Sequence, residues 1–156
     1  MRAVLQRVSR AAVHIGGETH SRIGLGQLIL LGVEKPDQPE DADYLARKAF
    51  ELRIFEDPAG KMNLAASEVG GSFLVVSQFT LVASLSRGRR PSFDAAAPPA
   101  QAVPLYERFV NALRACGGEV QTGVFGARME IELINDGPVT LILETLDDGR
   151  RDAVDR

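Results

Sequence analysis

Gly70-Gly71-Ser72-Phe73-Leu74-Val75-Val76-Ser77-Gln78-Phe79-Thr80-Leu81 is the stretch on which the fold turns. After the glycine pair, residues 72–77 form a dense run of strand formers, which gives way to hydroxyl and amide side chains. Upstream, 27–33 reads as a second buried strand by its Leu, Ile and Val content. Before it, 3–8 and 11–15 read as strands. Gly16-Gly17 then joins the latter to a polar strand over 18–23, a hairpin signal. Between the two buried strands lies a helix. Pro39 suits its first turn and Glu40, Asp41 and Asp43 its positive end, while Ala42, Leu45, Ala49 and Leu52 recur at helical spacing. Arg53-Ile54-Phe55 reads as a short strand closed by the turn Asp57-Pro58-Ala59-Gly60.

Downstream, 83–99 is rich in Ser, Gly, Pro and Arg and reads as a long surface loop, a kind that is often functional. A second helix carries Leu105, Phe109, Ala112, Leu113 and Cys116 on one face and stops at Gly117-Gly118. Two strands, 127–134 and 139–146, finish the fold around Asn135-Asp136-Gly137-Pro138, and the charged tail 147–156 reads as frayed. The expected class is α+β: one β-rich domain over 1–146, mostly antiparallel, covered by two helices.

With 156 residues, 45% hydrophobic and 25% charged, the chain suits one globular domain with a sizeable core. No apolar run reaches membrane-spanning length and no secretory signal is visible, so no membrane partner is expected. One cysteine allows no internal disulfide, which fits the cytoplasm. The net charge of -3 argues against a protein that coats nucleic acid without specificity, and no DNA partner is expected. Any RNA contact needs a local basic patch, and Arg87-Gly88-Arg89-Arg90 is one.

The residue types exclude several chemistries. His14 and His20 lie in the hairpin without a second ligand at metal spacing, and read as strand histidines. There is no Gly-x-Ser-x-Gly elbow, no third glycine after Gly24 and Gly26 for a dinucleotide loop, and no Walker sequence. Cys116 at a helix C-terminus reads as a core residue rather than a nucleophile. Neither metal nor cofactor is expected.

Two polar segments remain. Ser77, Gln78 and Thr80 at a strand end can bind a substrate, with nearby backbone N–H groups serving an oxyanion; equally, they can satisfy their own turn. Asn135-Asp136-Gly137-Pro138 reads first as a turn. With a cis Gly-Pro bond, it would present a rigid pair of backbone acceptors instead.

Taken together, Ser77-Gln78-Phe79-Thr80-Leu81 and Asn135-Asp136-Gly137-Pro138-Val139-Thr140 resemble the D-aminoacyl-tRNA deacylase family. Gln6-Arg7-Val8, Leu31-Gly32-Val33-Glu34-Lys35, Arg53-Ile54-Phe55, Gly60-Lys61-Met62-Asn63 and Arg90-Pro91-Ser92-Phe93 match it in the same order. The resemblance implies a homodimer acting on D-aminoacyl-tRNA without metal or cofactor. It assigns Ser77, Gln78, Phe79 and Thr80 to the 3′ adenosine and scissile ester. It also implies a cis Gly137-Pro138 reaching into the partner's site, braced by Arg7, with Met129 lining the same pocket. Arg87, Arg89 and Arg90 make the loop unusually basic, which suits either an acceptor-stem phosphate contact or a solvated loop.

An aminoacyl ester is already activated, so positioning and oxyanion donors matter more than a strong base. Water assisted by the ribose 2′-OH is the expected attacker, with Thr80 as the alternative nucleophile. Two rival readings stand beside this one: a non-catalytic tRNA-binding module, and an editor of the same fold with altered stereochemical preference.

Overall fold

The computed structural model describes residues 1–86 and 88–145; Arg87 and the tail expected to fray lie outside the described residues. In chain order the elements are β1 (Arg2–Ile15), β2 (Glu18–Ile23), β3 (Gly26–Gly32), α1 (Pro39–Glu51), β4 (Phe55–Glu56), β5 (Met62–Leu64), β6 (Ser72–Ser77), α2 (Pro99–Ala115), β7 (Val120–Thr122) and β8 (Glu130–Glu144). Two 3-10 turns, Ala66–Val69 and Phe79–Val82, flank β6.

The strands expected at 3–8 and 11–15 are one element. β1 is long because β8 pairs along it almost end to end, while its other edge pairs first with β3 and then with β2. Gly16 and Gly17 close the β1–β2 hairpin at φ 61° and 85°, the left-handed region a primed turn requires.

The sheet is mixed, with antiparallel pairs in the majority and two parallel pairs beside them. β1 is antiparallel to β2, β3 and β8, but β3 with β6 and β6 with β7 are parallel. Parallel neighbours need a crossover, and α1 and α2 supply one each. At the far ends of the sheet, Ser21 Oγ donates to Thr122 O at 2.8 Å, so β2 and β7 meet.

β3 and β6 are buried on both faces, hence their unbroken apolar runs. Ile29, Leu31, Phe73 and Val75 pack beneath Leu45, Ala49, Phe109 and Leu113 of the helices. Leu28, Leu74 and Val76 face the opposite way, against Val8, Ala11 and Val13. The floor of this sandwich holds little slack. At Gly26 a Cβ would stand 1.8 Å from Ser72 O, so only glycine lets β3 and β6 cross there.

Two further expectations change. Residues 127–134 and 139–146 are not two strands about a turn: β8 is continuous, because β1 runs unbroken beside it. Val8 pairs with Asn135 and Gln6 with Thr140, so residues 136–139 stand out as a bulge opposite Arg7 alone. Cys116 is exposed rather than core, because α2 ends at Ala115 and Cys116 only caps it. The strand expected at 53–55 lies at Phe55–Glu56, paired with β5; β7 had no sequence signal beyond its three residues.

Candidate active site

β6 ends at Ser77 because the backbone turns into the 3-10 turn Phe79–Val82. Gln78 N–H donates to Leu31 O at 2.8 Å, which ties the turn to β3. Gly32 makes room for it: a Cβ there would lie 3.1 Å from Gln78 O and 3.2 Å from Leu81 Cβ. On the far side, Arg2 donates from Nη1 to Leu81 O at 2.8 Å. The first N–H groups of such a turn have no acceptor within it. Among the described residues, those of Phe79 and Thr80 have no protein acceptor either. Gln78 spends its side-chain amide on Thr80 Oγ1.

Beneath this corner lies a cavity of about 520 Å³. Ser77, Gln78 and Phe79 form one rim, and Leu31, Val33 and Val76 form the floor. Tyr106 of α2, Phe125 and Met129 close the other side. Thr80, exposed on the outside of the turn, does not line it. Tyr106 hands its hydroxyl to Val75 O at 2.8 Å, and burial pushes its pKa up to about 12. It is therefore a fixed neutral donor, not a base. The Phe125 ring meets it edge-on at 6.1 Å, and Met129 Sδ accepts from Val124 N–H at 3.4 Å.

The long loop is anchored to the same corner. Ser84 and Ser92 exchange backbone hydrogen bonds of 2.8 and 3.0 Å, so residues 85–86 and 88–91 lie at its tip. Phe93, at its base, packs edge-on against the exposed Phe79 ring at 4.9 Å. Arg89 and Arg90 stand exposed on that tip without an ion pair among the described residues. Arg87 lies outside the described residues.

The Gly137-Pro138 bond is cis, at the crest of the bulge. Arg7, buried beneath it, donates from Nε to Asp136 O at 2.7 Å and from Nη1 to Ile54 O at 2.6 Å. Within one chain, the bulge and the Ser77–Phe79 rim do not meet. Arg2, whose side chain reaches the 3-10 turn, and Arg7, whose side chain reaches the bulge, lie about 17 Å apart along β1 at ~3.3 Å per residue. His14 is elsewhere too: its ring contacts Glu132 at 3.2 Å and Thr19 at 3.1 Å on the outer face of the hairpin. Among the described residues, no group of three or more His, Cys, Asp or Glu could hold a metal ion.

Sequence reasoning missed Tyr106, Phe93 and Phe125. Tyr106 belongs to the apolar face of α2 and carries no sequence mark of a cavity wall. The aromatic spacing of Phe79 and Phe93 across the loop was the one available signal.

The family described as D-Tyr-tRNA(Tyr) deacylase matches residues 4–144. A D-aminoacyl-tRNA deacylase of Symbiobacterium thermophilum is 57% identical over 145 residues, 93% of this chain and 96% of the relative. One from Geobacter sulfurreducens is also 57% identical, over 93% of this chain and 95% of its own length. Among solved structures, the c-Myc DNA Unwinding Element Binding Protein superposes with a TM-score of 0.89 at 40% identity, covering 94% of this chain and 100% of that one. A probable eukaryotic D-amino acid tRNA deacylase shares the fold, with a TM-score of 0.78 at 19% identity over 91% and 97% of the two chains. The chain that carries the cavity at the end of β6 and the braced Gly137-Pro138 bulge thus belongs to the D-Tyr-tRNA(Tyr) deacylase family.

Proposed function

We propose that the cavity beneath Ser77–Phe79 receives the 3′ adenosine of tRNA, with the ester carbonyl lying against the N–H groups of Phe79 and Thr80. The reaction, hydrolysis of the ester between a D-amino acid and tRNA, is the activity of the family to which the chain belongs. The observation that carries the reading is the pair of unengaged N–H groups beside an apolar cavity large enough for a nucleobase. Water adds to the carbonyl carbon, the oxyanion forms against these donors, and the ribose oxygen leaves with a proton. The neighbouring 2′-OH orients the water, since Tyr106 is a fixed donor and His14 lies on another face.

Chiral selection needs a second subunit on this reading. A single chain keeps Gly137-Pro138 away from its own cavity, whereas two-fold pairing lets each bulge enter the partner's site. The edge position of β8 favours this, with Ile134 44% and Ile142 65% exposed on either side of the bulge. Backbone carbonyls at the crest hold the amino group, so an L side chain meets the bulge and a D side chain points away. Glycine, with no side chain to reject, is cleaved as well. Arg89 and Arg90 lie on the loop next to Phe79, where acceptor-stem phosphates would pass. A tRNA substrate favours a cytoplasmic location.

Incubating the purified chain with D-Tyr-tRNA tests the reading. Release of D-tyrosine is expected; tRNA binding without release would leave only a binding module.

A further inference from the structure

The bulge carrying Gly137-Pro138 is wide. Between the pairs Gln6–Thr140 and Val8–Asn135, β1 has one residue and β8 has four, so the backbone ladder is interrupted at the neck. One side chain bridges the gap. Asn135 Oδ1 accepts Val139 N–H at 2.8 Å, and Asn135 Nδ2 donates to Val139 O and to Thr140 Oγ1, both at 3.1 Å. The amide thus makes with Val139 the two bonds that a facing strand residue would make. Gln6 Nε2 adds a bond to the same Thr140 hydroxyl at 3.2 Å. Arg7 holds the opposite limb through Asp136 O, so the two limbs are fixed by different residues.

We propose that Asn135 is a positioning residue for stereochemical discrimination, setting the height and direction at which Gly137-Pro138 projects. The proposal rests on the reading that this crest acts in the partner's site. Both faces of the amide are needed. An oxygen in place of Nδ2 would face Val139 O, which it cannot bond, while the Thr140 hydroxyl can turn to donate to it and the bond from Val139 N–H survives. Substitution by aspartate therefore removes the bond to Val139 O and adds a carboxylate charge at the neck.

The test compares kcat/KM for D-Tyr-tRNA and L-Tyr-tRNA in the full-length protein and in Asn135→Asp, with thermal melting alongside. Displacement of a reacting or rejecting group by about 1 Å changes rates on the order of 100-fold. The D-to-L ratio is expected to fall on the order of 10–100-fold, chiefly through faster cleavage of the L-ester. A purely structural role would lower the melting temperature and leave the ratio alone, and that result overturns the proposal. Gly137→Ala serves as the control on the crest itself, since its Cβ would stand 2.8 Å from Val139 N and Cγ2 at φ 148°. If Gly137→Ala shifts the ratio and Asn135→Asp does not, Asn135 is no positioning residue although the crest reading stands. If neither shifts it, the crest reading fails and takes the proposal with it. Should Asn135→Asp not fold, Thr140→Val decides: it removes the hydroxyl shared by Asn135 and Gln6. A fall in the ratio supports the proposal, and an unchanged ratio overturns it.

Discussion

Thr80 stands where a nucleophile could be sought, yet its hydroxyl is exposed and its one side-chain partner is the Gln78 amide, which donates to it. Among the described residues, no base is hydrogen-bonded to it. Thr80→Ala is therefore expected to lower kcat by less than about tenfold, whereas loss of a true nucleophile costs several orders of magnitude. Single-turnover deacylation of D-Tyr-tRNA measures this, and abolished activity in a folded variant would make Thr80 a covalent participant. Tyr106 makes the opposite case, a residue whose hydroxyl holds structure. Val75 O also accepts Gly123 N–H at 3.1 Å, so Tyr106→Phe leaves that carbonyl paired. The expected cost is about 1 kcal/mol of stability, or ~2–4 °C in Tm, read by calorimetry. Residues of these two kinds were unequally legible. Ser77, Gln78 and Thr80 announced themselves as polar groups at the end of an apolar run. Tyr106 did not, because its role depends on which strand its helix crosses.

At the scale of elements, close approach decides what can be changed. Gly24 has open space around it, while Gly26 is pressed against Ser72. Gly24→Ala is expected to leave stability nearly unchanged, and Gly26→Ala to prevent the β3–β6 pairing and with it the folded state. Soluble yield and circular dichroism distinguish the two, and a well-folded Gly26→Ala protein would contradict the packing described. The helices offer a gentler test. Arg108 Nη2 meets Asp43 Oδ2 at 2.6 Å across α1 and α2, and this hydrogen bond holds the Asp43 carboxyl below its usual range. A depressed folded value means that the stabilisation is present above the unfolded pKa of about 3.9 and is lost as pH falls through the lower folded one. Both side chains are substantially exposed, so the effect is small and screened by salt. Asp43→Asn should melt slightly below the native chain at neutral pH, and the gap should close in acid. A gap that widened in acid would mean that the ion pair raises rather than lowers the Asp43 pKa.

For the whole molecule, if the Gly137-Pro138 crest acts in the partner's site as proposed, its separation from the Ser77–Phe79 rim makes chiral selection depend on assembly. Light scattering should detect a dimer at micromolar concentration, and chiral discrimination should weaken on dilution. An active, fully selective monomer would refute cross-subunit selection. A parallel time course on D-Tyr-, Gly- and L-Ala-tRNA tests rejection directly. Gly-tRNA should be cleaved and L-Ala-tRNA largely spared, and survival of Gly-tRNA would require a positive grip on the D side chain.

Local chemistry alone determined the hairpin, α1 with its proline and acidic first turn, and the two doubly buried strands, because glycine pairs, capping residues and apolar runs act within a few residues. It also marked both polar motifs, since unusual side chains at a strand end show in the sequence itself. The tertiary structure decided the rest. Whether β3 and β6 run parallel depends on crossovers through helices, and whether residues 135–139 turn back or bulge depends on β1 lying unbroken beside them. Both are settled by backbone hydrogen bonds between residues far apart in the chain, and such pairings leave no mark on any short stretch of sequence.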